Sequence, residues 1–122
     1  MMKKIEAIVR PEKMEDVKEA LNNIDVNGIT IYQVMGCGAQ HGLTEVVRGQ
    51  HVDIHLVAKI KFEIVVSTDE WAQKTIDAII DSAYTGNLGD GKIFVYDLDN
   101  VIRIRTRDTG AAAINPPDYS EE

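Results

Sequence analysis

The stretch KIKFEIVVSTDEWAQKTIDAIIDSAYTGNLGDGKIFVYDL, residues 59–98, decides the fold. Its opening alternates: Ile60, Phe62, Ile64 and Val66 fall on one face, Lys61 and Glu63 on the other, the period of a strand with one buried side. STDE (67–70) then sets Ser67 three residues before Glu70, the spacing of a capping box. Ala72, Ile76, Ile79 or Ile80, and Ala83 recur at helical spacing, so a helix follows. A glycine-rich turn ends that helix, and KIFVYDL (92–98) returns to strand character.

The same pattern stands at the N-terminus. KKIEAIV (3–9) places Ile5, Ala7 and Val9 on one face, and Pro11 suits the first turn of a helix, where its missing N–H is not needed. Met14, Val17, Leu21 and Ile24 form an apolar stripe opposite Glu12, Glu15, Lys18 and Glu19, which predicts a helix over roughly 12–24. DVNG closes it, ITIYQVMG (29–36) reads as a second strand, and VIRIRT (101–106) as a short extended segment. Two strand-helix-strand halves on one antiparallel sheet, with both helices on one face, are the ferredoxin-like α+β arrangement, βαββαβ. The other face of such a sheet is open, yet KIFVY carries Ile93 and Val95 on one side and Phe94 and Tyr96 on the other. Self-association is the simplest cover, so a homo-oligomer is expected.

A chain of 122 residues, 44% of them apolar, suits one domain with one core. No long apolar run or signal-like leader occurs, and the single cysteine, Cys37, has no internal partner, so a soluble, cytoplasmic protein is expected. A formal charge of -7 argues against a general nucleic-acid binder, while small anions stay within reach of local arginines and lysines.

TGNLGDGK (85–92) has the glycine and lysine frame of a phosphate-binding P-loop, with Gly86, Gly91 and Lys92. Ile93 stands where the metal-binding hydroxyl belongs, and a helix precedes the loop where a strand should, so it is not a Walker loop. Two readings of the stretch stay open. Glycines let backbone N–H groups approach an anion, with Lys92 adding charge; alternatively Gly86 caps the helix and Gly89, Asp90 and Gly91 simply turn the chain. Arg103 and Arg105, two apart on an extended segment, would point the same way and call for an anion, or for pairing with Asp90, Asp97 or Asp99.

Residues 37–58, CGAQHGLTEVVRGQHVDIHLVA, join two strands that would otherwise form a hairpin. Loops of this length tend to be functional, and a partner or ligand is expected to order this one. It holds all three histidines, His41, His51 and His55. His51, Asp53 and His55 share one face of an extended segment and admit a transition metal, although solvated loop histidines are commoner. Cys37 reads as a small residue at a strand end, not a nucleophile.

KKIEAIVRPEKMEDVKEAL, QVMGCGAQHG, TGNLGDGKIFV and VIRIRT, in that order, resemble the PII signal-transduction family across residues 3–106. The resemblance implies one domain over 1–110 with a T-loop at about 37–58; the end that it covers poorly reads from its residues as a flexible acidic tail over 111–122. It implies a homotrimer whose subunit clefts bind ATP or ADP. Gly89, Asp90, Gly91, Lys92, Arg103 and Arg105 match the family's phosphate-binding residues, Thr30 and Val65 its base contacts, and Gly38 and Ala39 its backbone contacts at the T-loop root. Gln40 matches the glutamine that helps hold magnesium-ATP and 2-oxoglutarate, and Lys59 the lysine that meets the far carboxylate of 2-oxoglutarate. Through the T-loop such proteins dock on an ammonium transporter, an enzyme or a regulator, which connects them to a membrane only indirectly. Arg48 matches the arginine that plugs an ammonium channel.

The departures are informative. Val52 stands where many bacterial members carry the tyrosine that is uridylylated, and Val47 at another loop tyrosine, so neither position offers a hydroxyl. The basic residue usual near Asn87 is absent. The implied function is a non-enzymatic sensor in which ATP, ADP and 2-oxoglutarate select T-loop states. The alternatives are a variant sensing adenylate ratio or another metabolite for a different partner, a slow ATPase switch, and a metal-responsive trimer. No carboxylate pair or base is fixed beside the glycine loop, which weighs against an enzyme.

Overall fold

In the computed structural model, the structure describes residues 1–37, 44–47, 50–53 and 56–114. Strand β1 (Lys3–Val9) leads through a 3-10 turn (Pro11–Lys13) into α1 (Met14–Asn23). β2 (Ile29–Gly36) follows, then a two-stranded ribbon of β3 (Thr44–Val47) and β4 (Gln50–Asp53). β5 (Val57–Val66), α2 (Asp69–Ala83), β6 (Lys92–Asp97) and a short α3 (Ala111–Ile114) complete the order. The main sheet runs β2-β5-β1-β6 with every pair antiparallel, which is the βαββαβ topology that the strand and helix periods predict.

The core lies between the sheet and the two long helices. Ile5, Ala7 and Val9 of β1 and Ile60, Phe62, Ile64 and Val66 of β5 are buried against Val17 and Leu21 of α1 and Ala72, Ile79 and Ala83 of α2. Because β1 and β5 are the two inner strands, their alternating faces carry most of the sheet's buried side chains. Thr75 is the one polar residue buried in α2, and its hydroxyl donates to the Trp71 carbonyl at 2.8 Å. Ile76 is only half-buried and Ile80 is exposed, so the apolar stripe of α2 is narrower than its spacing suggests.

The cap of α2 differs from the sequence expectation. Thr68, not Ser67, is the N-cap, extended in its backbone, and its hydroxyl accepts from the Trp71 amide at 3.1 Å. Three residues from cap to N3 fits Thr68 and Trp71, so the Ser67 to Glu70 spacing is one residue out of register.

The face away from the helices is more polar than KIFVY alone suggests. Glu6 and Glu63 stand directly opposite each other on β1 and β5, a destabilising pair unless compensated. Lys4 lies 3.9 Å from Glu6 and 3.6 Å from Glu63, Lys61 lies 3.4 Å from Glu63, and the Tyr32 hydroxyl donates to Glu63 at 3.2 Å. The lysine heads also sit over Tyr96 and Tyr32 rings. Exposed apolar side chains lie on both edge strands: Phe94 and Tyr96 of β6 and Tyr32 of β2 on this face, Val95 and Ile31 on the helix side.

The core and cap assignments lead to a stability prediction. Phe62→Ala is expected to cost about 3–5 kcal/mol and Thr68→Ala about 1 kcal/mol in urea denaturation followed by Trp71 fluorescence. Ser67→Ala should stay within about 0.5 kcal/mol of the parent; a loss equal to that of Thr68→Ala would return the cap to Ser67.

Candidate functional site

The glycine loop between α2 and β6 is built around one carboxylate. Helix α2 stops at Ala83, Tyr84 is already extended, and the chain turns through Gly86, Gly89 and Gly91, all at positive φ. One Asp90 oxygen accepts from the Thr85 amide at 2.8 Å and the Gly86 amide at 2.9 Å. The other accepts from the Thr85 hydroxyl and from Arg10 Nε, the latter at 3.1 Å. These contacts, the Thr85 hydroxyl foremost and its amide next, hold the Asp90 carboxyl far below the usual carboxylate range against the opposing effect of burial. Asp90 is thus spent on the loop's own shape, and only its backbone remains for a ligand.

Gly91 fixes the loop to the sheet. Its φ is +105°, and a Cβ there would fall 1.7 Å from the Ile8 carbonyl oxygen, closer than any side chain can tolerate. The next residue, Lys92, pairs with Ile8 and starts β6.

Two cations from the sheet end reach under the loop. Arg10, just past β1, donates from Nη2 to the Leu88 carbonyl at 2.6 Å, and Lys59 of β5 donates from Nζ to the Gly89 carbonyl at 2.6 Å. The N–H that follows each carbonyl points the opposite way across a trans peptide. The Gly89 and Asp90 amides are therefore each turned away from the cation that holds the preceding carbonyl.

The remaining site residues are placed as follows. Thr30 on β2 stands opposite Glu63 in the ladder, and Val65 on β5 opposite Lys4, both on the face away from the helices. Lys59 lies at the root of the long connection, where β2 and β5 remain paired through Gly36 and Val57. Lys92 is exposed beside the loop. Gly38, Ala39, Gln40, His41, Arg48 and His55 lie outside the described residues. Val52, His51 and Asp53 fall on β4, so part of the predicted loop is a paired ribbon, with Val46 opposite His51 and Glu45 opposite Val52. Among the described residues no group of three His, Cys, Asp or Glu is arranged to hold a metal ion.

The C-terminal arginines correct an expectation. VIRIRT is not extended: Ile102 makes an isolated bridge to Thr109, and the backbone closes on itself through Arg103 N to Asp108 O and Arg107 N to Arg103 O. Arg103 and Arg105 therefore do not share a strand face. Arg103 Nη1 pairs with Asp108 at 3.0 Å, and Nη2 donates to the Ala112 carbonyl of α3 at 3.0 Å. Arg105 sits exposed on the turn. Asp97 pairs with Lys3 and Asp90 with Arg10, while Arg103 meets Asp108. The tail, expected to be flexible from 111, begins with the α3 turn over Ala111–Ile114.

Arg10 and Thr85 are the loop residues that the sequence reading missed. Thr85 opens the glycine stretch but is not one of its glycines or its lysine, and Arg10 is distant along the chain; its position directly before Pro11, just past an inner strand, is the signal it gives.

Comparison with known proteins places these features in a family. The model of the family "Nitrogen regulatory protein P-II" matches residues 2–108. The chain is 50% identical to the nitrogen regulatory protein P-II of Pasteurella multocida, and 48% identical to nitrogen regulatory protein P-II 1 of Escherichia coli K12. Each match covers 93% of this chain and the whole of the relative. Among solved structures, the PII of Arabidopsis thaliana bound to citrate superposes with a TM-score of 0.73 at 39% identity, covering 92% of this chain and 91% of that one.

The lowered pKa of Asp90 sets a pH dependence. A carboxylate with a depressed folded pKa stabilises the fold above its unfolded value of about 3.9 and loses that contribution as pH falls through the folded value. Asp90→Asn is expected to unfold at lower urea concentration than the parent near neutral pH, with the gap closing below about pH 4. A gap that stays constant down to the acid limit would show that the ionised form of Asp90 has no special place in the loop.

Proposed function

The chain belongs to the nitrogen regulatory protein P-II family, a family of regulatory signal-transduction proteins and not enzymes, and on that premise we propose that it senses adenine nucleotides. ATP and ADP compete for clefts between the subunits of a homotrimer, 2-oxoglutarate binds together with magnesium-ATP, and the segment 37–58 carries the resulting state to a protein partner. The carrying observation is the glycine loop, whose Leu88 and Gly89 carbonyls are drawn inward by Arg10 and Lys59 while the next amides face out. Such a nest favours an anion, and Lys92 adds a positive charge beside it.

The other residues fit this reading by position. Thr30 and Val65 would contact the base, Gly38 and Ala39 the phosphates through their backbone, and Gln40 the magnesium bound to ATP. Lys59 lies where nest and T-loop root meet, so one amine can meet a metabolite carboxylate close to the phosphates. Citrate on the Arabidopsis relative is in keeping with a family that accepts small carboxylates. A homotrimer is supported by the exposed edge strand β6 and by an apolar groove of about 380 Å³ beside it, lined by Ile76, Ile80, Tyr84 and Val95. No helix among the described residues is long and apolar enough to cross a membrane, and we place the protein in the cytoplasm, reaching a membrane only through a transporter partner.

Partner choice rests on the T-loop. Arg48 fits an ammonium channel, and Val47 and Val52 leave no tyrosine hydroxyl for nucleotidylation at those positions, so effector binding is the control there. Titration calorimetry with ATP, ADP and AMP, with and without 2-oxoglutarate, tests the reading. Tighter 2-oxoglutarate binding with magnesium-ATP, and the reciprocal gain for ATP, is expected. Nucleotide binding indifferent to 2-oxoglutarate would leave an adenylate sensor and refute the carbon input.

The two arginines are separable. Arg105→Ala is expected to weaken ADP binding about tenfold or more with little change in melting temperature. Arg103→Ala should lower both, because it also frees Asp108 and α3. Unchanged ADP affinity in both variants would remove the arginines from the phosphate site.

A further inference from the structure

The turn of the glycine loop has two soft peptide units. Gly89 at a φ of +100° lets the 88–89 and 89–90 peptides rotate with little steric penalty, so something must choose the orientation observed. Arg10 and Lys59 are the groups in contact with the two carbonyls concerned, each at 2.6 Å. The Arg10 guanidinium also occupies the space a side chain at 89 would need, 3.2 Å from an ideal Cβ, and is itself fixed through Nε to Asp90. Lys59 is half-buried, and its Cγ lies 4.0 Å from where a Cβ on Gly36 would stand, at the base of the long connection.

We propose that Arg10 and Lys59 are positioning residues for phosphate binding: by holding the Leu88 and Gly89 carbonyls they keep the Gly89 and Asp90 amides turned outward as a preformed anion nest. The assignment rests on the nucleotide-sensor reading and deepens it. Lys59 then acts on the nucleotide before any metabolite carboxylate reaches it. A preformed nest binds phosphate more tightly because the peptides need no reorganisation on binding.

The test uses the full chain, free of dicarboxylates, as Lys59→Met, Arg10→Met and Lys59→Arg. ADP is titrated by calorimetry and adenosine, which lacks phosphate, by NMR shift changes, while amide relaxation of Gly89 and Asp90 is followed without ligand. In both Met variants ADP affinity should fall about tenfold, the worth of one hydrogen bond to a charged group. Adenosine affinity should be unchanged, and the two amides should drop from rigid order parameters near 0.85 toward about 0.6 or below. Lys59→Arg should keep affinity and rigidity. Retained ADP affinity overturns the proposal. So does a fall with both amides still rigid, which would mean direct attraction between charge and phosphate, or an equal fall for adenosine, which would mean general damage. Should Arg10→Met fail to fold, Lys59→Met decides alone. Absence of ADP binding by the parent protein is seen before any variant is compared, and it would overturn the nucleotide reading together with this assignment.

Discussion

The backbone of Gly91 lies against the carbonyl of Ile8 in a space that no side chain can share. This contact joins an inner strand to the turn before an edge strand, so it fixes where β6 begins and how it registers on β1. The loop before it is then confined between the end of α2 and the start of β6. Asp90 fills the interior of that short turn with its carboxylate, and the charge it brings is met by Arg10 from just past the end of β1. The loop's shape thus follows from the sheet and from the contacts of Asp90.

Much of the fold was legible because its inner strands and its helices carry simple periods. Ile60, Phe62, Ile64 and Val66 alternate since β5 has a neighbour on each side and a helix layer on one face only; Val17 and Leu21 recur since one side of α1 meets that sheet. The C-terminal arginines were misread for the complementary reason. Ile102 to Arg105 alternates like a strand, but no ladder receives it beyond one bridge, and Arg103 gains more from Asp108 and the α3 carbonyls than from an extended course. Arg107 adopts a φ of 63°, which turns the chain back. Periodicity records which face is buried; here little is buried, so it carried no information.

The glycine loop was legible as a motif and not as a mechanism. The spacing of Gly86, Gly91 and Lys92 drew attention to it, while the groups that hold its carbonyls, Arg10 just past β1 and Lys59 on β5, lie far from that glycine frame in the chain. Asp90, grouped by resemblance with the phosphate residues, points its side chain inward at Thr85, Gly86 and Arg10. A similar division holds on the sheet's outer face, where Glu6 and Glu63 oppose each other and Lys4 and Lys61 compensate them. Only the register reveals that arrangement.

The ladder between β2 and β5 continues to Gly36 and Val57, the last residues before the long connection leaves the sheet. Paired strands lie about 4.8 Å apart, so both ends of the excursion are held together by the sheet itself. Loop-closure entropy grows only slowly with length, about 0.6 kcal/mol for each doubling. The segment between these anchors is therefore free to lengthen, shorten or change composition under selection with little effect on folding. The ferredoxin-like body can stay constant while the composition of that segment varies.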